Sequence, residues 1–198
     1  GTCLKLTDYK NFKKDPHNDK EILKDIQKVL NGMDMLFGWY SPGFDLPFLN
    51  TRLIYHGLPI VDNGICHKDG WKIAKYQMKF DSNRLNTVAE FLTGDKKSPH
   101  ASEWWVKAVT GKDLKTKAKY INLIAKYCNQ DVNIAYKVYL KLRPLIKDHP
   151  RVSRELKTCP VCGSHKTKVD GIRVTATRRY RRMGCQECGH NWKAELIK

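Results

Sequence analysis

The sequence lacks an apolar run of the roughly 18 residues that a membrane-crossing helix needs. Its N-terminus lacks the basic stretch and following apolar segment of a secretory signal peptide. Internal repeats and low-complexity tracts are also lacking. The first residue is glycine rather than methionine, which indicates a processed product or a fragment. We therefore expect no membrane span, and one ordinary folded domain with a small additional module.

Acidic side chains are scarce relative to basic ones. The chain has 20 Asp and Glu against 37 Lys and Arg, which gives a formal net charge of +17. Basic residues outnumber acidic ones both before and after residue 150, so the charge is not confined to a tail. Such an excess favours a polyanionic partner, and nucleic acid first of all. The alternative is that the charge serves only solubility or reflects a lysine-rich source organism.

The sequence also lacks the even, closely spaced cysteines that are typical of a disulfide framework. Three of its seven cysteines, Cys3, Cys66 and Cys128, are scattered along the chain. This pattern fits a reducing, cytoplasmic compartment and a single metal site better than disulfide bonding.

The other four cysteines form two Cys-x-x-Cys pairs, each followed by a glycine that permits a tight knuckle. Four soft sulfur ligands fit a tetrahedral structural Zn²⁺, and a closed site of this kind leaves no open position for catalysis. A redox role is disfavoured because there are two pairs and no thioredoxin-like context. His165 and His190 could replace a ligand but are not needed. The predicted zinc ligands are Cys159, Cys162, Cys185 and Cys188.

Between the two cysteine pairs, residues 172–183 alternate in polarity and predict the β-hairpin of a zinc ribbon. The hairpin is rich in arginine, which contacts phosphates, and has a tyrosine that can stack on bases. The alternative is that the arginines are merely solvated. Trp192 is expected in the core of the ribbon. The candidate nucleic-acid-binding residues are Arg173, Arg178, Arg179, Tyr180, Arg181 and Arg182.

Hydrophobic periodicity before residue 147 predicts helices that alternate with short strands, as in an α/β domain. The apolar run 33–40 predicts a strand inside a sheet, and residues 4–9 predict a short first strand. The longest helix is expected to break near residues 128–130. Helices are predicted over residues 19–31, 46–56, 69–76, 83–93, 103–110 and 114–142.

A strand end, a Pro-Gly turn and the start of a helix meet at residues 37–47. Asp45 lies at this joint, beside the amide-rich first turn of the helix. A carboxylate in this position can help to handle a metal ion or a phosphate. The alternative interpretation is that Asp45 only caps the helix.

A second acidic stretch lies more than 80 residues further along the chain. Tyr127 and Asp131 are four residues apart on a predicted helix, so they share one face about one turn apart. This spacing lets a phenol and a carboxylate converge on one small volume. The alternative is that Tyr127 packs against neighbouring residues and Asp131 is solvated.

Together the two stretches resemble the DnaQ-like 3′–5′ exonucleases of the ribonuclease H fold, in the subgroup with a tyrosine in its last motif. The resemblance covers nearly the whole chain from about residue 18, and the middle segment is similar to phage-type members. The matching residues are Gly38, Phe44, Asp45, Leu46, Pro47, Phe48 and Leu49 in one motif, and Tyr127, Asp131 and Val132 in the other.

The resemblance implies a mixed sheet flanked by helices, and a phosphodiesterase site with two Mg²⁺ or Mn²⁺ ions roughly 4 Å apart. It implies that Asp45 and Asp131 help to bind these ions, because hard carboxylate oxygens suit them. Tyr127 is then expected to orient or activate the attacking water.

The sequence departs from the family in two places. The first motif, an Asp-x-Glu on the first strand, is not found. Asp19 with Glu21 has this spacing but lies at a helix start, where capping and the helix dipole explain acidic residues, and Asp8 is a lone candidate. We therefore expect that the chain begins after the first motif, with residues 1–9 corresponding to a later strand. The second departure is Tyr40, where relatives usually carry asparagine.

We expect a ribonuclease H-like exonuclease domain over about residues 1–147, a linker over 148–157 and a four-cysteine zinc ribbon over 158–198. The expected activity is metal-dependent 3′–5′ hydrolysis of DNA, with the ribbon holding the strand and with replication or repair proteins as partners. The alternatives are a non-catalytic nucleic-acid-binding module and a zinc-ribbon adaptor for a replication or transcription partner. The resemblance also implies a phage or prophage origin.

Overall fold

A computed structural model describes residues 3–61, 64–146, 148–153, 155 and 157–197. No helix within these ranges is long and apolar enough to cross a membrane. The helices and strands confirm the predicted α/β class. In chain order they are α1 (Lys20–Asn31), β1 (Met35–Gly38), α2 (Asp45–Tyr55), β2 (Cys66–Asp69), α3 (Gly70–Gln77), α4 (Leu85–Thr93), α5 (Glu103–Thr110), α6 (Leu114–Leu142), β3 (Thr167–Val174), β4 (Arg179–Cys185) and β5 (Asn191–Ile197).

The N-terminal segment contradicts the prediction of a first strand over residues 4–9. Its described part forms two 3₁₀ turns, Leu6–Asp8 and Lys10–Lys13. Backbone hydrogen bonds there run locally, for example from the Asp8 amide to the Lys5 carbonyl over 2.9 Å. A sheet partner is not needed because these polar groups are satisfied within the turns. The matching of residues 1–9 to a later strand of the sheet is therefore wrong for the described residues 3–9.

Strands β1 and β2 pair in parallel, with Met35 opposite Cys66 and Gly38 opposite Asp69. The strand predicted over residues 33–40 is thus confirmed in its central part. Asp69 ends β2 and connects the segments that leave the two strands: its Oδ1 accepts hydrogen bonds from the Tyr40 amide at 2.7 Å and the Trp71 amide at 3.1 Å. This carboxylate is buried. It holds the turn after β1 in a fixed position relative to the sheet.

Helix α6 is continuous over 29 residues. The expected break near residues 128–130 is absent, because this segment has neither the glycine nor the proline that would interrupt a helix. Pro144 ends the helix as predicted, within the 3₁₀ turn Arg143–Leu145. The second half of α6 packs on α3 and α4 around the main apolar core. The buried members of this core are Ile73, Ala74, Leu85, Val88, Ala89, Ile134, Val138, Leu142 and Ile146.

Helices α1 and α2 form a smaller core around Leu23, Leu30 and Leu53. The predicted cap of α1 is Asn18 or Asp19. Asp19 occupies the N-cap position, but its side chain makes no hydrogen bond to the first turn, whereas Asn18 Oδ1 accepts a hydrogen bond from the Lys20 amide at 3.1 Å. Instead Asp19 accepts hydrogen bonds from Arg52 at 2.7 Å and contacts His56 Nε2 at 2.6 Å. Partial burial alone raises the pKa of Asp19, but these two partners lower it below its ordinary value. This carboxylate therefore fastens α1 to α2.

The C-terminal region is a three-stranded antiparallel sheet in the order β3-β4-β5. The predicted hairpin is confirmed as β3 and β4. The sheet packs its core around Cys159, Val161 and Cys185, and Trp192 lies partly buried against them. The domain boundaries given above stay a prediction.

Candidate functional site

Asp45 is the first residue of α2 and is exposed. Phe44, not Asp45, occupies the N-cap position, so simple helix capping does not account for this carboxylate. The chain segment that leads to Asp45 has a constrained backbone. Tyr40 is in the left-handed region with a φ of 62°, and a Cβ on Gly43 would meet the Tyr40 ring at 2.5 Å. Nearby protein withdraws water from Asp45 and raises the pKa of its carboxyl above the ordinary value.

Tyr127 and Asp131 lie one turn apart in α6. The Oδ2 atom of Asp131 is 2.6 Å from the ammonium of Lys97. Its Oδ1 atom is buried and has no hydrogen-bond partner among the described residues. A buried carboxylate oxygen without a donor is costly, so this oxygen is poised to receive a cation or a donor.

Lys97 connects the two predicted residues of α6. Its ammonium also lies 5.2 Å from the centre of the Tyr127 ring. Partial burial alone lowers the pKa of Lys97, but hydrogen bonds to Asp131 and Tyr127 outweigh this and raise it. The ammonium therefore stays charged at neutral pH and supplies the positive charge that Asp131 requires.

Tyr127 is enclosed by aromatic groups from the segment before α5 and from α5 itself. The His100 ring centre is 4.6 Å from that of Tyr127, and the Trp105 ring centre is 6.0 Å away. Sequence reasoning missed both Lys97 and His100 as site residues. The available signal was indirect: the segment from His100 to Trp105 resembled the middle of the exonuclease family.

The Cys128 thiol lies on α6 between Tyr127 and Asp131. Loss of hydration raises its pKa first, and the negative charges of Asp131 and, least of all, Asp45 add to this. That Asp45 and Asp131 meet at one ion stays a prediction.

No third acidic ligand joins this pair among the described residues. Within the described ranges, the four cysteines are the only group of three or more His, Cys, Asp or Glu side chains close enough to share an ion. The N-terminal candidates have other partners: Asp19 contacts Arg52 and His56, and Asp8 lies 3.6 Å from Lys5. Neither belongs to a shared cation site.

The four cysteines of the C-terminal region form one compact cluster. Their Sγ atoms all lie within 4.8 Å of one another, and two of the cross-pair separations, Cys159–Cys188 and Cys162–Cys185, are 3.7 Å. A tetrahedron with Zn–S bonds of about 2.3 Å has edges of about 3.8 Å, so this group fits zinc. The histidines are engaged elsewhere: His190 Nδ1 is 3.2 Å from the Pro144 carbonyl, and His165 is 3.7 Å from Glu155.

The predicted nucleic-acid-binding arginines differ in their surroundings. Arg182 pairs with Asp170 at 3.1 Å, and Arg181 pairs with Glu195 at 3.4 Å. Within the described part of the chain, no ion pair engages the other three arginines. All five arginines are exposed, and Tyr180 is partly buried beneath the Lys193 ammonium, which lies 5.1 Å from its ring centre. The unpaired arginines are Arg173, Arg178 and Arg179.

Comparison with known proteins gives one result for the region that carries Asp45 and Asp131. A family model described as the RNase_H superfamily matches residues 4–143. No curated protein matches the sequence.

Proposed function

The chain belongs to the RNase H superfamily, and from this membership we propose that it is a metal-dependent 3′–5′ exonuclease acting on DNA. Superfamily membership by itself supports nuclease-like action on nucleic acid. The direction of digestion and the preference for DNA rest on the tyrosine-containing motif and on the phage-type resemblance. The zinc ribbon is proposed to hold the strand.

The surroundings of the Asp131 carboxylate give the proposal its main support. Asp131 has one buried oxygen without a partner and a second oxygen in contact with an ammonium ion. A lysine ammonium is a poor substitute for a divalent ion, but it marks where positive charge is stabilised. Asp45, the first residue of α2, would add a second hard oxygen donor.

The donor set fits Mg²⁺ or Mn²⁺, which Asp45 and Asp131 would bind. When bound, such an ion stabilises the charge that develops on the phosphoryl and leaving oxygens. Tyr127 lies one helical turn before Asp131, and the Lys97 ammonium that pairs with Asp131 lies 5.2 Å from the centre of the Tyr127 ring. From this position the Tyr127 hydroxyl can orient a water for attack on the terminal phosphodiester. His100 and Trp105 enclose the ring and limit its rotation.

The test is the shortening of a 3′-labelled single strand by the zinc-loaded chain in Mn²⁺ or Mg²⁺, with Ca²⁺ as the inactive ion. We expect Asp131→Asn and Asp45→Asn to remove activity, and Tyr127→Phe to reduce it by roughly 10²-fold or more. Glu103→Gln is a matched control, because this exposed carboxylate forms a surface ion pair with Lys107 at 3.0 Å, on a different helix from Asp45 and Asp131. Shortening that survives Asp131→Asn would contradict the assignment.

A second function has specific support. The absence of a third acidic ligand beside Asp45 and Asp131, among the described residues, favours a non-catalytic module that binds nucleic acid. This alternative predicts strand binding without shortening in Mn²⁺, and equal binding by the parent chain and Asp131→Asn. If the chain is an exonuclease, the parent chain forms more shortened product than Asp131→Asn when equal fractions of the two proteins have strand bound.

A further inference from the structure

We propose that the groove between the end of α6 and the zinc ribbon binds the phosphodiester backbone of a single nucleic-acid strand. The inference deepens the proposed function by naming where and how the ribbon holds the strand. The groove has a volume of about 560 Å³. Pro144, Leu145 and His149 line one wall, and Arg173, Arg182 and Lys193 line the other.

One polar contact joins the two walls: His190 Nδ1 lies 3.2 Å from the Pro144 carbonyl. Further contacts order the side chains within each wall. On the ribbon the His190 ring is nearly parallel to that of Trp192, at 8° and 6.2 Å, and on the opposite wall Tyr139 Oη lies 2.7 Å from His149 Nε2.

The charge of the groove is unbalanced. One side chain from each ribbon strand supplies a cation: Arg173 from β3, Arg182 from β4 and Lys193 from β5. Asp148 is the one acidic residue among the described lining residues. Side chains of one sign that converge in a concave surface raise the local concentration of the opposite charge. The groove thus favours an anion.

The strand register places these cations where they repel one another. Arg182 lies directly opposite Lys193 on the neighbouring strand, an arrangement that is destabilising for like charges. Arg173 lies opposite Tyr180, and Lys193 lies over the Tyr180 ring, so these side chains share one face. Asp170 compensates Arg182, but no ion pair within the described residues compensates Arg173 or Lys193. A bound polyanion would remove the repulsion.

The size of the groove selects a single strand. Its volume lies within the range of about 300–1,000 Å³ of sites for drug-sized ligands. A segment of one strand can enter such a space, whereas a duplex would have to bring its second strand in with it.

Residues 179 and 181 on β4 provide the matched comparison. They alternate with Tyr180 and Arg182, so they point to the opposite face of the sheet. Arg181 pairs there with Glu195, and neither Arg179 nor Arg181 lines the groove. A double substitution on each face removes the same charge from the same module.

The experiment measures binding of a fluorescent single strand to the full zinc-loaded chain in Ca²⁺, without a chelator, over a range of salt concentrations. We expect Arg173→Gln/Lys193→Gln to weaken binding by tenfold or more and to lower the salt-dependence slope by about 1.4, for two single-strand phosphates. Arg179→Gln/Arg181→Gln is expected to weaken binding less than threefold. Unchanged zinc content and melting temperature establish that both doubles are folded.

Equal losses in the two doubles, or no loss in the groove double, would overturn the proposal. Duplex DNA of the same length that binds as tightly as the single strand would overturn the choice of a single strand. The readout is independent of catalysis. If the parent chain never shortens a strand but the groove double substitution still weakens binding, the exonuclease proposal is refuted and the proposed binding groove is supported.

Discussion

The helical region and the zinc ribbon are stabilised in opposite ways. The helical region buries an apolar core shared by α3, α4 and α6, and the site predicted there combines Asp45 and Asp131 from distant parts of the chain. The buried core of the ribbon is small and includes Cys159, Val161 and Cys185, and its four-cysteine cluster comes from two short knuckles. The first region has an apolar core that would support a site, and in the second the cysteine cluster is itself part of the core.

Removal of zinc should give the largest effect and should be confined to the ribbon. Structural zinc in small modules contributes apparent free energies of about 10–16 kcal/mol at neutral pH. We expect Cys185→Ser to unfold β3–β5, seen as loss of amide hydrogen-exchange protection after residue 157, while α6 keeps its protection. The scattered Cys66→Ser is the control and should retain one zinc per chain. Simultaneous loss of protection in α6 would mean that the two regions do not differ in this way.

A core truncation should produce the reverse pattern. Leu142 is fully buried in α6, and its replacement by alanine should lower the free energy of unfolding of the helical region by about 2–5 kcal/mol. Urea unfolding followed by far-ultraviolet circular dichroism measures this change. Zinc stoichiometry should not change. A variant that released zinc at native stability would contradict the separation of the two cores.

Substitution of Lys97 should have a smaller effect, and it tests whether the Lys97 ammonium competes with a divalent ion for Asp131. We expect Lys97→Met to increase Mn²⁺ affinity by about tenfold, or about 1.4 kcal/mol, because the ammonium no longer competes for Asp131. The metal-free variant should melt at a lower temperature, since Asp131 loses its counter-ion.

Lys96→Met is the adjacent control, because Lys96 pairs at 2.8 Å with Glu90 rather than with the site. Isothermal titration with Mn²⁺ provides the comparison. Equal affinities in the two variants would show that Lys97 does not compete with the divalent ion.

The smallest expected effect is a pH shift. The pKa of Asp45 is raised by loss of hydration, so its proton is retained at higher pH than in an ordinary aspartate. Mn²⁺ requires the ionised carboxylate, and binding should therefore weaken as pH falls through this raised pKa. Asp45→Asn should remove that pH dependence along with most of the affinity. A midpoint at or below the ordinary aspartate pKa of about 3.9 would contradict the assignment.

Short-range patterns in the sequence were informative because the residues involved are neighbours in the chain. The spacing of the cysteines within each pair predicted a cluster, and the structure brings all four sulfurs together. Tyr127 and Asp131 required only one helical turn. The hairpin was predicted from alternation alone, but alternation could not show that its arginines divide between two faces of one sheet.

Long-range contacts were not predictable from the sequence. Lys97 lies in a polar loop, and nothing near it in the chain indicates that its ammonium reaches Asp131. Asp19 was interpreted from its position at a helix start, whereas Arg52 and His56 determine its role. The strand predicted over residues 4–9 failed because local turns satisfy its backbone hydrogen bonds. For Lys97 and Asp19 the side chain's partner is distant in the chain. For residues 4–9 the conformation depends on local backbone hydrogen bonds that the residue types do not reveal.

The central claim is that Asp45 and Asp131 bind one and the same divalent cation cluster. A double-mutant cycle of Mn²⁺ affinity, with Asp45→Asn, Asp131→Asn and both together, tests it directly. If both carboxylates hold the same ions, each single substitution removes most of the Mn²⁺ affinity, and the double substitution loses much less than the sum of the two single losses. Strictly additive losses, or a single substitution without effect, would contradict it.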